Sequence, residues 1–259
     1  MLDEIVLAKQ QELEAAKERL PFEDLKARLT SFLAERSFRN ALRIPGKLSL
    51  IAELKRKSPS KGMLRERFDP VHLAQTLQAA GAAALSVLTD EAYFGGHLEF
   101  LRDAKQFTEI PILRKDFIVD PYQVYEAAFY GADAVLLIVR ILTEEQLIQC
   151  MQASDVLGIE PLVEVHSAEE LKLALSVGAH AIGINHRDLR TFQIDPTLSE
   201  QLVPKMPAGK LIVAESGIQT TEDVKRMKRL GIHALLIGET LMKAADPAAK
   251  IRELFAGTW

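Results

Sequence analysis

From Leu48 onward, short apolar runs alternate with longer stretches whose apolar residues fall at helical spacing. Eight runs rich in Val, Ile and Leu predict strands: 48–55, 84–89, 112–117, 134–139, 161–165, 181–185, 211–216 and 234–238. They are nearly continuous in apolar character, which marks strands covered on both faces, as in a parallel sheet. The stretches between them predict helices over 70–80, 98–107, 121–130, 143–157, 167–177, 197–203 and 220–230, with an eighth over 247–255. Gly81, Gly131, Gly178 and Gly231 each close a helix just before a strand, a place for a left-handed cap. They recur at intervals of roughly 50 residues, or two βα units of about 25. Eight units in about 210 residues predict an α/β fold, a closed (β/α)8 TIM barrel. No Gly-x-Gly-x-x-Gly follows the first strand, which argues against a dinucleotide-binding open sheet.

The first 47 residues follow another pattern. Apolar residues among charges predict amphipathic helices over 2–19 (Ile5, Leu7, Leu13) and 22–32 (Leu25, Leu29, Phe32), and Pro21 suits the opening turn of the second. A loop is expected around Pro45 and Gly46. We expect one domain over 1–259: an N-terminal helical extension (1–47) packed on the barrel (48–259). With the last helix at the end of the chain, no fused second barrel is expected.

Composition narrows the partners. The chain is 48% hydrophobic and 26% charged, which excludes global disorder. Its 32 basic and 36 acidic side chains leave a net charge of −4, so no basic excess exists to hold nucleic acid. Any anion site must be a local cluster. The single cysteine, Cys150, excludes an intramolecular disulfide and a multi-cysteine metal centre. The six histidines show no ligand spacing, so no metal site is expected. No signal-peptide core and no membrane-spanning run of about 18 apolar residues is present. A cytoplasmic protein with no membrane partner is expected.

Barrel chemistry sits at the carboxyl ends of the strands. The first strand ends with Glu53 and Lys55, two apart and so on one face. Arg114, Lys115 and Asp116 end the third. Glu164 interrupts the fifth between Val163 and Val165. The sixth ends at Asn185, followed by His186 and Arg187; the seventh ends Glu215-Ser216-Gly217; Gly238-Glu239 follows the eighth. Opposite charges gathered in one dry cavity shift one another's pKa values, which suits acid–base work. Gly217 and Gly238 lie past strands seven and eight, where many barrels bind phosphate on backbone N–H groups and a short helix. Ser58, with the cations of the loop 56–61, is placed to close over the anion. Two other readings remain open at this level. One is an aldose–ketose isomerase, which shares such a phosphate site. The other is a catalytically silent barrel serving as a scaffold.

The run Ile51-Ala52-Glu53-Leu54-Lys55-Arg56-Lys57-Ser58-Pro59-Ser60 resembles the first-strand signature of the indole-3-glycerol phosphate synthase family. Leu113-Arg114-Lys115-Asp116-Phe117-Ile118 resembles its third-strand motif. Leu162–Val163–Glu164–Val165–His166, Gly183-Ile184-Asn185, Arg187-Asp188-Leu189 and Ala214-Glu215-Ser216-Gly217-Ile218 complete the likeness. The resemblance implies a cofactor-free, single-function carboxy-lyase of tryptophan biosynthesis. Its substrate would be 1-(2-carboxyphenylamino)-1-deoxyribulose 5-phosphate, taken through ring closure, decarboxylation and dehydration. By the family's pattern Lys115 is the acid at the ketone. Glu164 and Glu53 supply the second acid and the base, with Lys55 an alternative acid. Asn185, Glu215 and Ser216 orient and support. Arg187 holds the anthranilate carboxylate, and Phe94, Leu136 and Leu189 form a slot for the ring. Two positions depart from the family: His186 stands where relatives usually have Asn, and Glu239 where some have Ser. At Glu239, only backbone N–H donation is expected. The expected working unit is a monomer, with other tryptophan-pathway enzymes as possible partners.

Overall fold

The computed structural model describes residues 1–29 and 34–258. Among them, eight parallel strands close into a barrel: Ser49–Leu54, Ala84–Leu88, Ile112–Lys115, Ala134–Ile138, Glu160–Val165, Ala181–Asn185, Leu211–Glu215 and Ala234–Ile237. Each pairs with the next in sequence, and the eighth returns to the first in the register Ser49↔Ala234. The continuous apolar runs follow from two cores sharing one set of strands. Ile51, Leu113, Leu136, Leu162, Val213 and Leu236 point into the barrel. Their neighbours Leu50, Ala52, Val135, Val163, Ile212 and Leu235 face the surrounding helices. Both sets are buried, which erases the usual alternation.

The helices begin where local chemistry starts them. Asp69, Asp120 and Asp246 each accept a backbone N–H of the helix that follows, and Pro70, Pro121 and Pro247 occupy the first turn. The glycines that end helices at 81, 131, 178 and 231 all take positive φ, as that repeated position demands. The expected helix over 197–203 is interrupted: Leu198–Leu202 gives way to a 3-10 turn, Val203–Lys205, because Pro204 has no N–H to continue it. Besides a 3-10 turn at Val139–Ile141, three short elements were not expected. They are the helices Phe38–Leu42 and Glu91–Phe94 and a hairpin of Lys57–Ser58 with Gly62–Met63.

The N-terminal helix spans Leu2–Arg19, as its periodicity predicts. The second is described over Phe22–Arg28; Phe32, placed in it by the pattern, lies outside the described residues. Lys17 pairs with Asp120 at 3.0 Å, and the Tyr122 hydroxyl donates to the carbonyls of Ala16 and Leu20. Phe38 and Leu42 are fully buried in the cluster that holds Ala134, Ala181 and Ala234, at the starts of their strands. The Ser49 hydroxyl donates to the Leu42 carbonyl, so this short helix closes the amino end of the barrel.

The unforeseen feature of the extension is Lys9. It is buried, with its ammonium 3.1 Å from Asp90 and 3.0 Å from Asp116. Asp90 also caps the helix Glu91–Phe94, and Asp116 accepts from Thr89 and pairs with Arg114. Burial alone would lower the Lys9 pKa, but Asp116 and Asp90 together raise it above the ordinary lysine range.

Candidate active site

Inside the barrel the apolar residues give way, at the last inward position, to Glu53, Lys115, Glu164, Asn185 and Glu215. The change of chemistry is thus one layer of the same period-two alternation. These five line a cavity at the carboxyl ends of the strands, together with Lys55, Ser58, Phe94, Arg187, Leu189, Ser216, Gly217, Gly238 and Glu239.

Lys115 is the hub. Its Nζ lies 3.5 Å from Glu164 Oε2 and 3.8 Å from Glu215 Oε2. Burial would lower its pKa, yet Glu164, Glu215 and Glu53 together hold it above the usual lysine range, as an ammonium. Burial likewise opposes ionisation of Glu164, but Lys115 and His166 overcome it and hold this carboxyl below its usual range. Glu215 goes the other way: burial and then the neighbouring Glu164 push it well above the carboxylate range. Of the two carboxyl groups, Glu164 therefore ionises first and Glu215 holds its proton longer. A second acid–base pair lies alongside, with Lys55 Nζ 3.5 Å from Glu53 Oε1 and 5.2 Å from the Phe94 ring centre.

Two glycines make room for the carboxylates. A Cβ at Gly183 would collide with Glu215 Oε1, and one at Gly238 would collide with the Glu53 carboxyl group. Gly183 stood in the sixth-strand motif without a role of its own. The close approach supplies one.

Just past strand seven, Ser216 adopts a φ of 66° and Gly217 one of 78°. Ser216 and Phe192 are the non-glycine residues with positive φ among those described. His186 holds this turn. Its Nδ1 is 3.0 Å from the Ser216 carbonyl oxygen, which can only accept, so Nδ1 carries the proton. Its Nε2 accepts from the Ser199 hydroxyl at 2.7 Å, and burial lowers its pKa, keeping it neutral. The ring does not line the cavity. The helix Glu239–Lys243 starts directly after Gly238, and Thr240 ties it to the neighbouring turn by donating to the Ile218 carbonyl. Ser58 is buried against the cavity, and its Oγ has no hydrogen-bond partner among the described residues.

Arg187 donates from its guanidinium to Glu239 at 3.1 Å, and its backbone N–H donates to Asn185 Oδ1 at 3.0 Å. Glu239 also receives Lys243 at 2.6 Å, so its side chain is committed to cations. One expected lining residue is misplaced. Leu136 is fully buried one inward layer down and does not reach the cavity; Ile138, two residues on and on the same face, does. His166, set aside by the sequence pattern, lies 3.3 Å from Glu164. Its partner Glu170 stands at i+4 in the first turn of a helix, a place where acidic residues are ordinarily solvated, so the spacing gave no signal.

Fold and cavity together define the class: a (β/α)8 barrel whose cavity, at the carboxyl ends of the strands, gathers acidic and basic side chains. The family model described as indole-3-glycerol phosphate synthase matches residues 2–254. Among curated relatives, the indole-3-glycerol phosphate synthase of Carboxydothermus hydrogenoformans is 45% identical, over 98% of this chain and 99% of its own. That of Acetivibrio thermocellus is 44% identical, over 99% of both chains. The chain belongs to the indole-3-glycerol phosphate synthase family. Among solved structures, 3-hexulose-6-phosphate synthase from Salmonella typhimurium superposes with a TM-score of 0.65 at 16% identity, over 80% of this chain and 96% of that one. At that identity the likeness concerns the fold alone.

Proposed function

We propose that the chain performs its family's reaction, forming indole-3-glycerol phosphate from 1-(2-carboxyphenylamino)-1-deoxyribulose 5-phosphate, with the roles divided as follows. The activity follows from family membership; the roles are our reading of the geometry. The observation that carries them is Lys115 Nζ placed between Glu164 and Glu215, whose pKa values are pushed in opposite directions. As the aromatic carbon attacks the ketone, negative charge grows on oxygen, and Lys115 donates its proton there. Arg187 holds the aromatic carboxylate until carbon dioxide leaves and the ring regains its electrons. Dehydration needs a second acid. Glu164, held ionised, is a poor donor, whereas the Lys55 ammonium beside Glu53 is a competent one, with Glu53 taking the ring proton. Glu215, Asn185 and Ser216 orient substrate hydroxyls. Phe94, Leu189 and Ile138 supply the apolar wall, while Ser58, Gly217, Gly238 and the N–H of Glu239 receive the phosphate.

The working unit is read as a monomer, in the cytoplasm. The ties of Lys9, Lys17 and Tyr122 support treating extension and barrel as one domain. No described helix is long and apolar enough to cross a membrane. Incubating the purified chain with the carboxyphenylamino ribulose phosphate and following indole fluorescence tests the reading. Folded chain that produces no indole signal would overturn it, and a changed sugar without an indole would favour an isomerase.

A further inference from the structure

The imidazole of His166 is buried between two carboxylates outside the cavity lining. Its Nε2 faces Glu164 Oε1 at 3.3 Å, a charge contact without the alignment of a hydrogen bond. Its Nδ1 lies 3.2 Å from Glu170 Oε2, and its backbone N–H donates to the same oxygen at 2.6 Å. Glu170 accepts from Arg140 Nε at 2.8 Å, and Arg140 Nη1 binds Asp188 at 2.7 Å. Asp188 accepts the backbone N–H groups of Arg190 and Thr191, shaping the loop that carries Arg187 and Leu189. With Lys115 on the other oxygen of Glu164, the line runs Lys115, Glu164, His166, Glu170, Arg140, Asp188, with charge sign alternating throughout.

We propose that His166 is a positioning residue: held by Glu170, it fixes one oxygen of Glu164 so that the other stays aimed at Lys115, and the Arg140–Asp188 pair ties that alignment to the loop bearing Arg187. The inference rests on reading Lys115 and Glu164 as an acid–base pair. Burial by itself would lower the imidazole pKa, but Glu164 and Glu170 raise it to about 9, so the ring is a cation through neutral pH. This matters at one moment of the cycle. When Lys115 gives its proton to the substrate oxygen, its N–H bond breaks and Glu164 loses its cationic neighbour. His166 remains to keep Glu164 ionised and in place. The groups facing Glu164 are then Lys115, Glu215, Asn185 and His166, and those facing His166 are Glu164 and Glu170.

The test combines ring 15N shifts of His166 in the ligand-free chain with steady-state kinetics of His166→Gln and Glu170→Gln. The expected ring is doubly protonated at pH 7 and titrates near 9. In Glu170→Gln, one anion poorer, it titrates lower. His166→Gln should lose kcat by about ten-fold or more with KM nearly unchanged, as a misaligned acid–base pair would. The acid limb of its kcat profile moves to higher pH, because a carboxylate that loses a cation becomes more basic. A neutral His166 ring at pH 7 would overturn the proposal. So would a folded variant with wild-type kcat and an unshifted acid limb. If His166→Gln does not fold, Glu170→Gln decides by the same two measurements. Wild-type chain lacking synthase activity would sink the acid–base reading, while the ring titration would still report on the clamp.

Discussion

Glu164 and Glu215, both beside Lys115, show how one buried cluster pushes two carboxyl groups in opposite directions. Replacing Lys115 with Ala removes the proton donor at the ketone. We expect indole formation to fall by roughly 10²–10⁴-fold, with far-ultraviolet circular dichroism unchanged; near-normal turnover in folded Lys115→Ala would refute the assignment. Glu215 offers a pH test. Its pKa is raised in the folded state, so the unfolded chain ionises it more readily, and this lowers stability as pH rises above the ordinary carboxylate range. Glu215→Gln imitates the protonated form. Its melting temperature should exceed that of the parent at pH 7–8, and the gain should vanish toward pH 4, where the carboxyl is protonated folded or unfolded. A gain that does not vary with pH would contradict the protonated Glu215.

At the scale of elements, the eight strands and the main helices could be read because each spans more than one period of its pattern. Their ends could not: Lys55, Phe117 and Ser216 sit beyond the last ladder residue, where the backbone turns to build the site. Glu91–Phe94 and Phe38–Leu42 are too short to show a period, although Asp90 and Ser37 stand as their caps. Leu136 illustrates a further limit. A period of two tells which face a residue takes, not how deep in the barrel it lies, so the residue on the right face was one layer too low. The glycines at 183 and 238 belong to this scale, since each lets one strand approach a carboxylate of another. Gly238→Ala should displace the Glu53 carboxyl group and cost about 1–3 kcal/mol in a denaturant melt. It should also weaken inhibition by inorganic phosphate, because the same backbone bounds the cavity at the place proposed for the phosphate. Unchanged phosphate inhibition would remove Gly238 from that pocket.

Across the whole molecule, the net charge of −4 says little about the site, because the charges that matter are compensated locally. Lys9 is the clearest case. Its helix was legible, and Lys9 stands four residues from both Ile5 and Leu13, on the face that is buried; what the pattern could not show was which charges meet it there. Lys9→Met would leave Asp90 buried without its cation and Asp116 with Arg114 alone, a loss of about 3–5 kcal/mol by analogy with other broken buried pairs. Asp116 is held below its usual range despite burial, chiefly by Lys9 and Arg114. Its contribution is therefore present at neutral pH and fades as acid protonates it. The deficit of Lys9→Met should accordingly narrow in acid, as read from urea midpoints between pH 7 and 3; a deficit constant across that range would count against the ion pair as its source.

The same lysine joins segments that are far apart along the chain. One of its partners precedes the helix that carries Phe94, and the other directly follows Lys115. Opening helix Leu2–Arg19 would strand Asp90 and leave Asp116 to Arg114 alone, so that helix and the upper rim should unfold locally as one cooperative unit. In native-state hydrogen exchange, amides of residues 5–16 and those around Tyr93, Phe94 and Phe117 should share one opening free energy and lose protection together in Lys9→Met. The extension would then be a clasp whose release is felt first at the wall of the aromatic slot.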